Sequence, residues 1–185
     1  MDALELLSNR VSVARLRAPG PDAEQKNRLF QAAMRAPDHK QLRPWRFLTT
    51  EGDARMRMGE LFAEVLIQRE PQARPEALDK ARKMPLRAPL IVTVIFCPRA
   101  HPKVPAQEQC LAAGCAAYGL VLAAQAEGLG AVWRSGEFSY DPVVKAGLGL
   151  SDGEEIVGFI YVGTPDVSPR SPEPANLDAY VKMWP

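Results

Sequence analysis

The distribution of apolar and polar positions is most unusual between residues 105 and 130. No charged side chain lies between Glu108 and Glu127, so a helix formed by this stretch is apolar or small on every face. A helix that is apolar all round is normally buried. Pro105 suits a first helical turn, and Gly128 suits a helix end. The pattern therefore predicts a long central helix around which the rest of the chain is organised.

A membrane span is the alternative for this stretch, because its uncharged length is just sufficient to cross a bilayer. Gln109, Gln125 and the many alanines supply little transfer energy, and no Lys/Arg cluster or aromatic anchor flanks them. We favour a helix of a soluble core. Its small side chains suit ordinary packing of a helix on a sheet, and they would also let a second copy of the chain approach closely.

Elsewhere the hydrophobic pattern predicts an ordered series of helices and strands. Helical periodicity with an N-cap residue predicts helices over 2–9, 22–35, 55–68, 76–84 and 142–146. Continuous or β-branched apolar runs predict strands over 45–49, 90–96 and 155–162, and a short strand or turn is expected over 131–136. This order predicts a mixed sheet flanked by helices, in an α+β or three-layer arrangement.

The composition excludes some classes of function but does not identify one. The chain is 46% hydrophobic and 24% charged with a net charge of +1, which predicts one globular domain over residues 1–185. A chain specialised for nucleic acid would be more basic. The three cysteines have no metal-ligand spacing, and the N-terminus does not resemble a signal peptide, so we expect the reducing cytoplasm.

Two segments carry candidate binding chemistry. In residues 10–15, Arg10 and Arg15 flank Ser12, which is a plausible phosphate cradle or otherwise a solvated loop. In residues 35–45, Pro37 and Pro44 bracket several basic side chains. That loop is either the rim of an anion or cofactor site or a connector made rigid by its prolines. The segment 69–75 is expected to be mobile, and it either covers a site or has no role.

The common catalytic motifs are absent from the sequence. There is no GxGxxG or GxxxxGK[ST] phosphate loop and no GxSxG nucleophile turn. His39 and His101 are the only histidines, too few for a histidine-centred metal site, and no metal is expected. If the protein is an enzyme, a bound cofactor therefore supplies the reactivity.

Several short motifs occur in an order that is typical of the flavin-dependent nitroreductase superfamily. They are MDALELLSNR, RVSVAR, RAPDHK, VPAQEQ, WRSG and VGFIYVGTP. The chain resembles the compact bacterial members of that superfamily over nearly its whole length. The resemblance implies a three-layer α/β/α sandwich, with a mixed, mainly antiparallel sheet around a long central helix. It also implies a homodimer that binds FMN at the subunit interface.

The same resemblance implies roles for particular residues. One group would hold the FMN phosphate and ribityl region: Arg10, Val11 and Ser12. A second would reach the flavin from the partner subunit or shape that loop: Arg35, Pro37, His39 and Lys40. A third would lie along the isoalloxazine edge: Trp133, Arg134 and Ser135. The chain departs from the usual pattern at Val11, where a second basic residue is common, and in the loop at Gln41 and Arg43.

The implied function is the transfer of hydride from NAD(P)H to a small-molecule acceptor, such as a nitroaromatic or a quinone, by a ping-pong mechanism. No protein nucleophile is needed, and neither nucleic acid nor a membrane is an expected partner. Two other classes remain open. One is a flavin-binding carrier or sensor with little turnover, and the other is a dimeric interaction module without flavin.

Overall fold

The computed structural model describes residues 2–184. The helices in this part of the chain are α1 Ala3–Asn9, α2 Ala23–Ala33, α3 Ala54–Arg69, α4 Pro75–Lys83, α5 Ala106–Ala126, α6 Glu137–Tyr140 and α7 Pro142–Gly147. The strands are β1 Leu16–Arg17, β2 Trp45–Glu51, β3 Leu90–Phe96, β4 Gly130–Arg134 and β5 Glu155–Pro165. Short 3₁₀ turns span His39–Gln41, Met84–Arg87 and Leu177–Ala179.

The sheet is built on β5, which pairs with β3 and with β4, while β2 pairs with the far side of β3. The short β1 pairs with the last two residues of β5. All of these pairings within residues 2–184 are antiparallel. Every residue of β3 is buried, which confirms the interior strand predicted from its continuous apolar run.

Helices cover both faces of the sheet and confirm the three-layer arrangement. On one face α2 and α5 pack against β3 and β5, through a cluster that includes Leu29, Leu120 and Val92. On the other face α3, α4, α6 and α7 form a second cluster around Phe62. The ring of Phe62 stacks on that of Phe138, with 4.4 Å between centroids.

Helix α5 is buried on one side only. Ala113, Ala116 and Leu120 have no exposed surface, whereas Leu111 is 65% and Tyr118 39% exposed. Of the helices in residues 2–184, α5 alone has the length and hydropathy of a membrane span, and 44% of that window is buried inside the fold. It packs as a core helix, but this single chain does not provide the cover on every side that its sequence predicts.

The predicted element ends are mostly close to the observed ones. Asp22 forms a capping box with Gln25 at α2, and Asp141 caps α7 through two backbone N–H groups. Two predictions need correction. Residues 70–74 alone link α3 to α4, so the connecting segment is shorter than the predicted 69–75. Strand β5 continues beyond Val162 to Pro165, because β1 pairs with its end.

Candidate functional site

The strand β4 sends alternate side chains to opposite faces of the sheet. Trp133 lies on the α5 side, where its indole N–H donates to the Val157 carbonyl at 3.3 Å. The ring covers Gly158, at which a Cβ atom would lie only 2.1 Å from the indole nitrogen. Arg134 lies on the opposite face, with its guanidinium carbon 5.8 Å from the centre of the Tyr161 ring.

Three adjoining cavities lie on the face that α3 and α4 cover. The first, about 350 Å³, is lined by α4 and by residues 135–138, and the second, about 250 Å³, shares Met84, Ser135 and Phe138 with it. The third, about 380 Å³, shares Arg134 with the second. We call these three cavities together the trough. Its first two parts are lined mainly by apolar and aromatic side chains, whereas its third part is basic.

The basic end of the trough contains more positive than negative charge. Its lining includes the guanidinium groups of Arg15, Arg87 and Arg134 and one carboxylate, Asp166. Asp166 is 3.5 Å from Arg15 and 3.7 Å from Arg17. The Nε atom of Arg134 is buried and has no hydrogen-bond partner within residues 2–184. Such a site is suited to an anionic oxygen.

Tyr161 lines the second part of the trough, below the Arg134 guanidinium that is shared with the third part. Burial raises the pKa of its phenol, while the nearby charges of Arg134 and Arg87 act in the opposite direction. The phenol is therefore neutral at physiological pH. It offers a hydroxyl donor beside the guanidinium groups.

The predicted phosphate-binding segment follows the outer edge of β4. The Val13 N–H donates to the Ala131 carbonyl at 2.9 Å, and the Gln125 side chain donates to the Asn9 carbonyl at 3.3 Å. Arg10 and Val11 are half-buried and Ser12 is exposed. Val11 also lines a separate cavity of about 230 Å³. The segment thus lies beside β4 and near the C-terminal end of α5.

The second predicted segment lies near the N-terminal end of α5. Its backbone is strained, because Lys40, Gln41 and Arg43 have φ angles of 66°, 52° and 47°. The Asp38 carboxylate accepts the Arg43 N–H at 2.6 Å, and His39 Nδ1 is 3.0 Å from a carboxylate oxygen of Glu108. Strain of this kind, about 1–3 kcal/mol per residue, is concentrated at functional sites. Four residues of this loop are expected to reach into the site of a second subunit, and all four are exposed in this chain: Arg35, Pro37, His39 and Lys40.

The two predicted segments are far apart within one chain. His39 contacts Glu108 in the first turn of α5, whereas Asn9 contacts Gln125 in its last turn. At 1.5 Å per residue, these two points on α5 are about 25 Å apart. One chain therefore does not bring the two sets of residues to a common ligand.

Cys97, which directly follows the last residue of β3, is held in its protonated thiol form. The Cys97 S–H donates to Glu154 at 3.0 Å, and Arg46 forms two hydrogen bonds with the same carboxylate at 2.9 and 2.7 Å. Burial, together with the Glu154 contact, raises the pKa of Cys97 to about 11. This side chain does not supply a thiolate nucleophile near neutral pH.

For several residues that line the trough, the neighbouring sequence gives no indication that they belong to a site. They come from separate elements that only the tertiary fold brings together: Lys80, Met84, Arg87, Phe138 and Tyr161. Arg87, for example, stands in a turn before Pro89 and reads as an ordinary surface charge. The continuous apolar run of β5 predicts a buried strand, but it does not single out Tyr161.

Comparisons with known proteins agree on one family. The profile of the Nitroreductase family matches residues 7–164. "Putative NAD(P)H nitroreductase YdjA" of Escherichia coli K12 is 44% identical, over 97% of this chain and 100% of its own length. The chain therefore belongs to the nitroreductase family, a family of oxidoreductases.

Solved structures show the same fold. A nitroreductase-like protein from Bacillus cereus has a TM-score of 0.84 at 23% identity, covering 100% of this chain and 96% of that chain. The FMN-dependent nitroreductase NfnB from Mycobacterium smegmatis, in complex with NADPH, has a TM-score of 0.77 at 19% identity, covering 99% and 98%.

Proposed function

We propose that this member of the nitroreductase family is an FMN-dependent oxidoreductase that takes hydride from NAD(P)H and reduces nitroaromatic or quinone-like acceptors. The observation that carries the proposal is the trough beside β4, apolar along most of its length and basic at one end. A flat, partly apolar ring system with polar edges suits such a shape. The names of the relatives, which include FMN and NAD(P)H, support the same assignment.

Residues along the outer edge of β4 and in the strand itself fit FMN chemically. Arg10 and Ser12 offer a guanidinium fork and a hydroxyl to the phosphate, with Val11 beside the ribityl chain. Ser135 and the backbone after β4 follow the edge of the ring system, between Trp133 on one face of the sheet and Arg134 on the other. The orphaned Nε of Arg134 fits an acceptor oxygen of the cofactor.

We propose that the complete site is formed by two copies of this chain. The exposed apolar face of α5 would pack on its symmetry mate in the opposite direction. An antiparallel pair of α5 helices places one chain's His39 loop beside the other chain's Arg10 segment, which removes the separation of about 25 Å. Arg35, Pro37, His39 and Lys40 would then complete the partner's site.

The chemistry is a balanced two-electron exchange. Bound FMN supplies the ability to accept a hydride and to pass two electrons on. NAD(P)H binds, donates its hydride and leaves as NAD(P)⁺, after which the acceptor occupies the same place. A quinone takes two electrons and two protons to form a hydroquinone, and a nitro group takes the same to form a nitroso group and water. The protein's own residues bind and orient the reactants and exclude water.

The whole chain, residues 1–185, would act as one FMN-binding unit. Its cysteines are free, and Cys110 and Cys115 are exposed, which suits the reducing cytoplasm. We propose no role for nucleic acid or for a membrane surface.

The test is a visible absorption spectrum of the purified protein, followed by anaerobic addition of NADPH and then NADH. We expect a flavin spectrum that bleaches within seconds and is restored by a nitroaromatic or a quinone. Arg10→Ala should weaken FMN binding by about 10-fold or more, because it removes a charge-assisted hydrogen bond worth about 1.5–3 kcal/mol. Arg57→Ala, on the exposed part of α3, is the matched control and should bind FMN normally.

The other outcomes separate the alternatives. A flavin spectrum that persists after both nucleotides would indicate a carrier or sensor instead of an enzyme. A colourless protein that takes up no added FMN would indicate an interaction module. Equal FMN affinity in Arg10→Ala and Arg57→Ala would show that the phosphate is held elsewhere.

A further inference from the structure

Lys80 is a cation without a partner on the wall of a mainly apolar cavity. This cavity, the first of the trough, has a volume of about 350 Å³ and is lined by α3, α4 and residues 135–138. Lys80 is exposed on α4 and forms no ion pair with a carboxylate within residues 2–184. Its ammonium group is therefore free to pair with an anionic group of a ligand.

The nearby carboxylates are engaged by other cations. Glu137 is the one carboxylate that lines this cavity in the part of the chain that the structure describes, and it accepts a hydrogen bond from Arg69 at 2.6 Å. Asp79, which precedes Lys80 in α4, pairs with Lys83 at 2.7 Å. The charge of Lys80 is thus the one that these contacts leave for a ligand.

The other walls of the cavity suit an aromatic ring. Most of them are apolar side chains: Leu66, Ala77, Ala81, Met84 and Phe138. The ring of Phe138 is held in place because it stacks on Phe62, with 4.4 Å between centroids. The volume lies within the range of about 300–1,000 Å³ that is typical of small-molecule pockets. A flat aromatic molecule with one anionic substituent matches both the walls and the charge.

The cavity also adjoins the residues assigned to the cofactor. Ser135 lines both the first and the second cavity, and Trp133 and Arg134 line the second. In the proposed function these three residues lie along the edge of the flavin. A ligand in the first cavity would therefore lie beside the cofactor, where an electron acceptor has to bind.

We propose that the first cavity of the trough binds the electron acceptor and that Lys80 selects acceptors with an anionic substituent, such as nitroaromatic carboxylates. This inference rests on the proposed function. The ammonium group pairs with the carboxylate of the acceptor, and the ring of the acceptor packs on the apolar walls. The nitro group takes two electrons and two protons to form a nitroso group and water, while the carboxylate is unchanged. Lys80 is thus a residue that determines specificity and takes no part in electron transfer.

The test compares two acceptors of similar shape, 4-nitrobenzoate and the neutral 4-nitrobenzamide. The ratio of their kcat/KM values, measured with the holoenzyme, cancels any effect of a variant on flavin reduction. Lys80→Ala should lower the ratio of benzoate to benzamide about fivefold, as expected for unit charges a few ångströms apart in water. Lys80→Glu should lower it about fivefold further. Lys80→Arg should retain most of the wild-type ratio, because it keeps the charge.

Lys83→Ala is the matched control. It removes the same charge from the same helix, but Lys83 pairs with Asp79 and does not line the cavity. Its ratio should equal that of wild type. Titration calorimetry of 4-nitrobenzoate into the purified, oxidised protein provides a second readout that needs no turnover. Lys80→Ala should bind this probe about fivefold more weakly than wild type, and Lys83→Ala should bind it equally well.

Two results would overturn the inference. One is a wild-type ratio in an Lys80→Ala enzyme whose FMN is reduced normally by NAD(P)H. The other is an equal fall of the ratio in Lys83→Ala, which would indicate a general effect of charge on α4. Both leave the proposed oxidoreductase function intact. A wild-type protein that NAD(P)H does not reduce removes the proposed function instead, and calorimetry then still decides whether Lys80 selects the anion.

Discussion

The folded state stabilises the ionised carboxylate of Glu154 through two partners, Arg46 on β2 and Cys97 after β3. The Arg46 hydrogen bonds lower its pKa from 4.5 to about 2, against the effect of burial. Its oxygen also accepts the Cys97 S–H, and the Ser151 N–H donates to the same carboxylate at 2.9 Å. The carboxylate therefore connects β2, the end of β3 and the turn before β5, and its protonation weakens these contacts.

This residue predicts a specific acid sensitivity. Since the folded-state pKa lies below the unfolded value, Glu154 contributes stability above about pH 4.5, and this contribution is lost as the pH falls towards about 2. Glu154→Gln should lower the free energy of unfolding at pH 7 by about 1–3 kcal/mol and flatten its dependence on pH in this range. Urea titrations followed by circular dichroism at pH 7, 4.5 and 3 would measure both effects.

The neighbouring Glu155 provides the control for that experiment. Its side chain is 53% exposed and pairs with Lys145, so Glu155→Gln should cost at most about 1 kcal/mol. It should also retain the acid sensitivity of wild type. If Glu154→Gln and Glu155→Gln gave the same pH profile, the buried pair with Arg46 would not be the source of the effect.

At the scale of whole elements, Arg69 fixes the end of α3. Its guanidinium donates to Asp141 at 2.6 and 3.1 Å and to Glu137 at 2.6 Å. Asp141 is 7% exposed and also caps α7, and hydrogen bonds from Arg69 and from that cap hold its pKa below the ordinary value, although burial opposes this. Arg69 therefore joins α3, α6 and α7 beside the apolar part of the trough.

Replacing Arg69 should have a larger effect than replacing a surface arginine. Arg69→Met should lower the free energy of unfolding by about 1–3 kcal/mol, because it leaves a nearly buried carboxylate without its charged partner. It should also raise the KM for the acceptor, since the wall formed by α3 and α6 loosens. Chemical unfolding and steady-state kinetics would measure these two changes.

Arg82→Met is the comparison within the same pair of helices. Arg82 and Glu60 are 42% and 65% exposed, so their ion pair should contribute at most about 1 kcal/mol. An Arg69→Met protein no less stable than Arg82→Met would contradict the role assigned to Arg69. An unchanged KM would separate the apolar part of the trough from acceptor binding.

The elements could be predicted from the sequence because their signals are local. Asp22 with Gln25 marks the start of α2, and the β-branched run of β3 marks an interior strand within seven consecutive residues. The trough could not be predicted in this way, since Arg87 and Tyr161 come from distant parts of the chain and meet only through sheet pairing. The motifs around Arg10, His39 and Trp133 indicated a family, and a strand over 131–136 puts the adjacent Trp133 and Arg134 on opposite faces of the sheet, but the sequence does not show which helices cover each face.

At the scale of the whole molecule, one chain leaves a large amount of apolar surface uncovered. On α5 this surface includes Leu111 and Tyr118, and near the C-terminus it includes Tyr180, Val181 and Trp184, which are 83%, 68% and 91% exposed. A cluster of exposed apolar side chains on a protein surface usually marks an interface. The apolar sequence of α5, which predicts burial on every side, is explained if a second copy provides the missing side.

The dimer and the cofactor site should therefore be lost together. In the double variant Leu111→Glu/Tyr118→Glu, two carboxylates on each chain would face their symmetry mates across the α5 pair, and burying them unpaired costs several kcal/mol. We expect this variant to be monomeric by light scattering, to remain folded by circular dichroism, and to retain little FMN. FMN should be lost because the Arg10 segment of one chain would no longer meet the His39 loop of the other.

Met56→Glu, which places a charge at a 54% exposed methionine on α3, should remain dimeric and loaded with FMN. A folded monomer that still binds FMN with wild-type affinity would show that a single chain holds the cofactor by itself, and it would confine the role of the second copy to covering α5.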